Sequence, residues 1–501
     1  MNIKPAHVST LALLILLIAV FDISALPAVQ AENSGRIYIR PDGSIDPSTA
    51  PIQRDRDTYI LTENIAGSII IEKDNITIDG ATHTLQGSGI GTGFYLSNRT
   101  NITIQETSVV GFEHGIDLNY SINSNITINN LLSNSIGVFA TWAIRNTFSD
   151  NNIANNSECG VLLDYNSQEN IVMSNEIANN SRGIYLTASS NNKIVGNNIV
   201  DNVDGIRLND STNNIVYQNS IVRNMLGLHL NTSVFTYENN TFYHNNFGEN
   251  RFQVKIGANS SRNIWDSGYS SGGNYWSDFN GMDLFSGQFQ NETGSDRIGD
   301  MPYFINAENY DRYPLIYPYG FVPSPDLNGD GEVDIRDVGA AALAFGAYPS
   351  HPRWNLAADM NQDSQVDIRD LAIIVKNFGK SVLIQDVSIR TDKSEYAHLD
   401  AVKITVSYRT QATQLRSVVL AATIEDDLNV HVGIAMCNLT IGGSVFNQFK
   451  KYTSILTITI PNWAAAGPAI VHVNFLKKLT STGPYLSLTG EATLSIQILS
   501  A

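Results

Sequence analysis

The chain has 501 residues, 43% of them hydrophobic, which is ample for several packed cores and too much for a disordered polymer. Its formal charge of −17, with 48 Asp and Glu against 31 Lys and Arg, comes without a basic patch and argues against nucleic acid or anionic lipid as a partner. The two cysteines, Cys159 and Cys437, fall in segments read below as different domains, so each fold must rest on its core rather than on a local disulfide.

Residues 1–31 read as a secretory signal: Lys4, an apolar run from Val8 to Phe21, and Val29-Gln30-Ala31 as a small-residue cleavage site before Glu32. The run is short for a bilayer span, which takes about 20 residues. The mature chain is therefore expected to be exported, to carry no membrane span, and to attach to a surface non-covalently.

From residue 32 a repeat takes over. Glycines at 93, 115, 137, 160, 183, 205 and 227 recur every 22 or 23 residues. After most of them come an apolar residue, a variable one and Leu, as in Ile116/Leu118, Val161/Leu163, Ile184/Leu186 and Ile206/Leu208. This period of two marks a short strand with the pair facing inward. A second apolar column, Val109, Leu131, Ile153, Ile177, Ile199 and Ile221, lies six or seven residues before each glycine. It is flanked by Asn129, Asn175, Asn197 and Asn219 on one side and by Asn134, Asn180, Asn202 and Asn224 on the other. Asn tolerates left-handed turns, and its amide both donates and accepts, so stacked copies are expected to bond along a column. A period this short leaves no room for two helices. A parallel β-helix with about three strands per coil is the remaining solution.

These coils resemble the right-handed parallel β-helix repeats of the NosD-like family, over Ile37 to about Tyr319. The stretch from Asn263 to Asp278, with Trp265, Tyr275 and Trp276, and the later Gly299-Asp300-Met301-Pro302-Tyr303 look like the C-terminal segment of the archaeal branch of that family. Physically it reads as a cap, with Trp265, Trp276, Phe279 and Tyr303 covering the last coil. Asn-x-Ser/Thr sequons, among them Asn75, Asn98, Asn101, Asn125, Asn179, Asn231, Asn259, Asn291 and Asn438, are candidate glycosylation sites of an exported chain.

The residue two after each glycine points outward, placing Tyr95, Asp117, Phe139, Leu162, Tyr185, Arg207 and His229 up one face. Tyr95, Phe139 and Tyr185 form the candidate sugar platform, with alternate aromatics roughly 10 Å apart. Beside them lie His114, Arg182 and Asp204. Asp204, Arg207, Arg182 and His229 are the candidate catalytic group, since a carboxylate and an arginine could serve proton abstraction and charge neutralisation beside a uronate. The competing reading is an ordinary solvated face. The NosD resemblance also carries an association with copper-site maturation, for which Met225, His229 and His244 would be the ligands to test.

Next come two copies of a twelve-residue loop, Asp326 to Asp337 and Asp359 to Asp370, each ending in Val-Asp-Ile-Arg-Asp. Asp326, Asn328, Asp330, Glu332, Asp334 and Asp337, and Asp359, Asn361, Asp363, Gln365, Asp367 and Asp370, stand at positions 1, 3, 5, 7, 9 and 12. Ca²⁺ loops draw their oxygens from these positions, the seventh through its carbonyl. Position 6 is Gly331 in the first copy and Ser364 in the second, where the turn strains a side chain. Pro323 and Pro325 forbid a helix entering the first loop, and Pro349 and Pro352 break the chain between the loops. Exiting helices are predicted over Val338 to Phe345 and Leu371 to Phe378, stopped by Gly346 and Gly379.

Loop then helix, twice, resembles the dockerin type I module over residues 326–380. That resemblance implies two Ca²⁺ ions and docking onto a cohesin-type surface or scaffold protein through Ile335, Arg336, Ile368 and Arg369. The alternative is a calcium-stiffened spacer.

Beyond residue 380, strands at Val402 to Tyr408, Ser417 to Ile424, Ser454 to Ile460 and Ala469 to Phe475 predict an immunoglobulin-like β-sandwich. The expected order is thus signal 1–31, β-helix and cap 32–320, linker 321–325, calcium module 326–380 and sandwich 381–501, in a mainly β chain. The function expected of it is that of an exported cell-surface protein binding glycan or another extended polymer. A polysaccharide lyase or hydrolase targeted by its dockerin-like module is the first alternative, and a copper-site accessory protein the second.

Overall fold

The structure, a computed structural model, describes residues 35–233, 239–258, 262–328, 332–348, 351–379, 384–410, 416–442, 450–478, 485–488 and 491–500. The signal-like residues 1–31, Asp330, Gly331 and the sequon at Asn259 lie outside the described residues.

The N-terminal half is a parallel β-helix. Its glycine-bearing strands, among them His114–Asn119, Ile136–Thr141, Cys159–Asp164, Arg182–Thr187, Asp204–Asn209 and Leu226–Asn231, pair in parallel from coil to coil. Three-residue strands form two further stacks, one through Ile126, Phe148, Val172, Ile194 and Val216, the other through Leu131, Ile153, Ile177, Ile199 and Ile221. All of these side chains, and the inward pairs after each glycine from Ile116/Leu118 to Leu228/Leu230, are buried in one continuous core.

The glycine column answers to close approach. A Cβ built on Gly137 would lie 2.6 Å from the carbonyl oxygen of Gly160, and one on Gly160 equally close to that of Gly183. No real side chain fits there, so the glycine must recur with every coil.

Asparagine ladders run through the turns. Asn129, Asn151, Asn175, Asn197, Asn219 and Asn245 bond amide to amide at 2.9–3.1 Å. Asn156, Asn180, Asn202 and Asn224 form a second ladder. A third, Asn146, Asn170, Asn192, Asn214 and Asn240, was not read from the sequence. The left-handed backbone falls one residue before each ladder position, at Ser174 (φ 56), Gln218 (φ 58) and Arg223 (φ 53), for example. Asn is therefore chosen for its amide, which satisfies buried backbone groups, and not for its tolerance of positive φ.

Aromatic side chains cover the last coil. Trp265 and Trp276 are almost fully buried, Phe242 stacks on Trp265 at 4.7 Å, and Phe247, Trp276 and Tyr303 stack in sequence at 4.4 and 4.3 Å. Asp311, fully buried, accepts the indole N–H of Trp276 at 3.0 Å and the backbone N–H groups of Asn274 and Tyr313.

Helices α1 (Ile335–Leu343) and α2 (Ile368–Lys376) each begin three residues earlier than predicted. The reason is a capping box: Asp334 and Asp367 are N-caps, and Asp337 and Asp370 return a carboxylate to the cap backbone. A single 3₁₀ turn, Leu356–Ala358, leads into the second loop. The two halves clasp each other, Gly346 N–H donating to the Val366 carbonyl and Gly379 N–H to that of Val333. Val333, Ala341, Ala358, Val366 and Ile374 make the small core between them.

The C-terminal part is two sheets facing across one core. One holds Gln385–Thr391, Ala401–Thr410 and Lys450–Thr459; the other is built on Arg416–Glu425, His431–Ile441, Gly467–Lys478 and Ala492–Ile498. Val402, Ile404, Tyr408, Leu420, Val471 and Phe475 fill the space between, as in a β-sandwich. Lys403 reaches back to the β-helix, where it pairs with Glu106 and lies 4.0 Å from Asp79.

Candidate functional site

Tyr95, Asp117, Phe139, Leu162, Tyr185, Arg207 and His229 are register partners in successive coils, so the predicted outward column is continuous. Tyr95, Phe139 and Tyr185 stand two coil steps apart, roughly 10 Å. All three rings are half-buried. Leu162, Phe139 and Tyr185 pack with Ile136 and Cys159 into a small apolar cluster on this face. Burial pushes the Cys159 thiol up, which makes it a packing residue and not a nucleophile.

At one end of the cluster the four candidate catalytic residues come together. Asp204, 6% exposed, faces His229 Nδ1 at 3.3 Å and Arg207 Nη1 at 3.4 Å. Burial alone would raise the Asp204 carboxyl. The bond to His229 and the charges of His229, Arg207 and Arg182 outweigh it and hold the group below the usual carboxylate range. The contact between His229 Nδ1 and Asp204 Oδ2 orients the imidazole ring. Arg182 and Arg207 both lie over the Tyr185 ring, at 5.3 and 5.5 Å.

Two partners of this group, Asn209 and Glu158, are not among the residues the sequence pattern singles out. Asn209 donates to the Tyr185 hydroxyl at 3.0 Å and accepts from Arg207 Nε at 3.3 Å. It lies two residues after Arg207 on the same strand, where period two already places it on the same face. Glu158 pairs with Arg182 at 3.7 Å. At the other end of the cluster His114 Nδ1 faces Asp117 at 3.4 Å and its ring packs on Phe139 at 4.5 Å, while Asp117 Oδ1 is buried without a hydrogen-bond partner.

An aromatic row along the rim was also missed. Tyr120, Trp142 and Tyr165 each follow a glycine-bearing strand directly, in three consecutive coils, and are 47%, 42% and 60% exposed. Their backbones are left-handed, with φ of 53°, 52° and 29°, a conformation costly for bulky residues. At the same place other coils use Asn98, Ala188 and Asp210.

The three copper candidates are held apart from one another in their contacts. His229 is engaged by Asp204, His244 bonds the Ser271 carbonyl at 2.8 Å and stacks on Tyr319, and Met225 is exposed. The sequons at Asn75, Asn98, Asn101 and Asn179 lie on exposed left-handed turn positions.

In the calcium module Asp337, Asp359 and Asp370 are fully buried and Asp326 nearly so, whereas Glu332 and Gln365 turn their side chains to solvent, consistent with a ligand role for their carbonyls. Asp337 accepts from the backbone N–H groups of Asn328 and Asp334, and Asp370 from those of Asn361 and Asp367. Burial, reinforced by the charge of Asp370, pushes Asp359 up to about 6. Each loop thus buries two carboxylates, Asp326 with Asp337 and Asp359 with Asp370, and oxygen donors of this kind are the ones a hard divalent cation takes. Among the described residues, no three His, Cys, Asp or Glu side chains are gathered closely enough to hold a metal. Asp363 is paired instead with Arg369, at 2.6 Å. Ile335 and Ile368 occupy equivalent positions, 68% and 67% exposed, each followed by an exposed arginine bonded to its N-cap aspartate.

Residues 68–281 match the family described as periplasmic copper-binding protein (NosD), and residues 324–379 match the dockerin type I domain, a calcium-binding module. The solenoid is thus a NosD-like parallel β-helix. No curated protein matches the chain in sequence. Among solved structures the chain is similar to a double mutant of the periplasmic alginate epimerase AlgG, 22% identical with a TM-score of 0.30 over 41% of this chain and 51% of that one. AlgG itself gives 16% and 0.30, over 46% of this chain and 83% of that one. The mannuronan C-5 epimerase AlgE4 A-module of Azotobacter vinelandii gives 15% and 0.28, over 40% and 68%. The chain spans about half the length of the first of these. At such scores the likeness assigns neither activity nor substrate. No helix among the described residues is long and apolar enough to cross a membrane.

Proposed function

We propose that this is an exported, modular surface protein whose β-helix binds an extended polysaccharide on the outward column and its aromatic rim, and whose dockerin module binds two Ca²⁺ ions and docks onto a cohesin-type partner. The observation that carries the glycan reading is the register of Tyr95, Phe139 and Tyr185 beside the exposed row Tyr120, Trp142 and Tyr165. Backbone strain at three exposed aromatics is a cost that solubility does not explain, and strain of this kind gathers at functional sites. The docking reading rests on Ile335 and Ile368, large apolar side chains left bare at matching positions. Binding of the full chain to acidic and neutral polysaccharides tests the first reading. Retention on an immobilised cohesin with and without calcium tests the second.

Catalysis is the second reading, favoured by the convergence of Asp204, Arg207 and His229. In this reading His229, held by Asp204, would take a proton from the carbon beside a uronate carboxylate whose charge Arg207 or Arg182 would neutralise. Release of unsaturated or shortened products from acidic polysaccharides distinguishes it from binding alone. The copper association of the matched family is tested by Cu(I) affinity and its sensitivity to His229→Ala. The separate engagements of His229 and His244 favour weak binding.

A further inference from the structure

We infer that Tyr317, a residue of the β-helix cap, is an outer-shell part of the second calcium site, so that calcium in this loop and the docking of the module onto the cap are coupled. The inference rests on the calcium reading of the loops. Tyr317 is 6% exposed, and its hydroxyl donates to Asp359 Oδ2 at 2.5 Å. Asp359 is position 1 of the second loop. The same oxygen accepts the Ser364 backbone N–H at 2.9 Å, while Oδ1 takes only a longer bond, 3.2 Å, from the Asp363 N–H. Tyr317 thereby fixes the rotation of a buried ligand carboxylate from outside the module.

Further contacts belong to the same latch. Ser364 stands where a calcium loop prefers glycine and has φ 65°, a strained position for any side chain. Its hydroxyl lies 3.4 Å from that of Tyr317 and 3.4 Å from that of Ser295, another cap residue. The departure from glycine thus has a structural return: the added hydroxyl reaches the β-helix. Gln362 donates to the Phe321 carbonyl at 3.3 Å, and Phe321 stacks near Tyr317 at 6.1 Å. The segment between cap and module is therefore packed, not a free tether.

Outer-shell partners of ligating carboxylates typically change metal affinity by about 10–100-fold when removed. By linkage, calcium must favour the latched arrangement by the same factor that the latch favours calcium. The experiment compares the full chain with its Tyr317→Phe variant by calorimetric titration of Ca²⁺. Two sites in the parent, with one weakened by about 10–100-fold in the variant, support the inference. Unchanged affinities at both sites overturn it while leaving calcium binding intact. A parent chain that binds no calcium refutes the calcium reading itself, and this inference with it. If Tyr317→Phe destabilises the cap, Ser364→Ala removes only the hydroxyl contacts. The inference expects it to shift the same site in the same direction by less, and no shift there counts against the latch.

Discussion

Asn175 donates its side-chain N–H to the carbonyl oxygen of the Asn197 side chain at 2.9 Å, one coil on, and the backbone N–H of Asn175 converges on the same oxygen at 3.0 Å. Asn175 in turn accepts from the Asn151 side chain and backbone, and donates to the Phe148 carbonyl. Replacing it by Ala leaves several buried donors and acceptors without partners. The expected cost is about 3 kcal/mol or more, read as a lower unfolding midpoint in urea. A loss below about 1 kcal/mol would mean that water fills the gap.

The outward column and the core beneath it should respond oppositely. Tyr185→Ala is expected to weaken polysaccharide binding by about 1 kcal/mol or more with the fold intact, whereas Leu186→Ala should mainly destabilise the fold, by about 2–5 kcal/mol. Equal retention of Tyr185→Ala and parent on every polymer tested removes Tyr185 from the site.

Trp142→Asn separates function from structure on the rim. Asn already occupies the equivalent left-handed position at residue 98, so the variant should melt no lower than the parent while binding polymer more weakly. A lower melting temperature with unaltered binding would make the row structural.

If the β-helix is an enzyme, Asp204→Ala and Arg207→Ala abolish product release without reducing retention on the polymer. Parallel loss of both would show that these residues only bind.

Calcium should order residues 326–380, where nine acidic side chains face five basic ones. Chelation is expected to lower the melting temperature of the full chain and to open this segment to protease. Asp337→Ala and Asp370→Ala should each remove one binding event. Titration isotherms identical with and without these carboxylates would end the two-site reading.

Burial pushes Asp311 in the cap up to about 7, against the bonds it accepts from Asn274, Trp276 and Tyr313. The unfolded carboxyl titrates near about 3.9. The native cap then keeps a proton that the unfolded chain releases, so this contribution to stability is complete below about pH 4 and is lost as pH rises through about 7. Melting temperatures should fall over that window. A flat profile would show that the three donors keep Asp311 ionised.

The parts of the fold that repeat were legible because the same physics acts on every coil: a glycine where no Cβ fits, inward pairs such as Ile184/Leu186, and asparagines at fixed offsets. The third ladder is less legible because Asn146 to Asn240 flank the stack through Phe148, Val172, Ile194 and Val216, which lies farthest in sequence from the glycine that marks each coil. Candidate residues sharing a strand or neighbouring coils, such as Asp204, Arg207 and His229, were found together because parallel register converts sequence period into adjacency. Tyr317 and Asp359 meet across 42 residues with no repeat to relate them, and Tyr120, Trp142 and Tyr165 sit in turns, where period two no longer applies. The helix starts were misplaced because Asp334 and Asp367 read as ligands and not as caps.

The pairing of Lys403 with Glu106 joins residues 297 positions apart. Glu106 belongs to an early coil, and its side chain is only 9% exposed once the sandwich is in place. During synthesis the coils can stack as they emerge, but Glu106 gains this counter-charge only after residue 403 has been made. A nascent or truncated chain that ends before the sandwich therefore presents an acidic patch that the finished protein covers, and its solubility and chaperone contacts should differ accordingly.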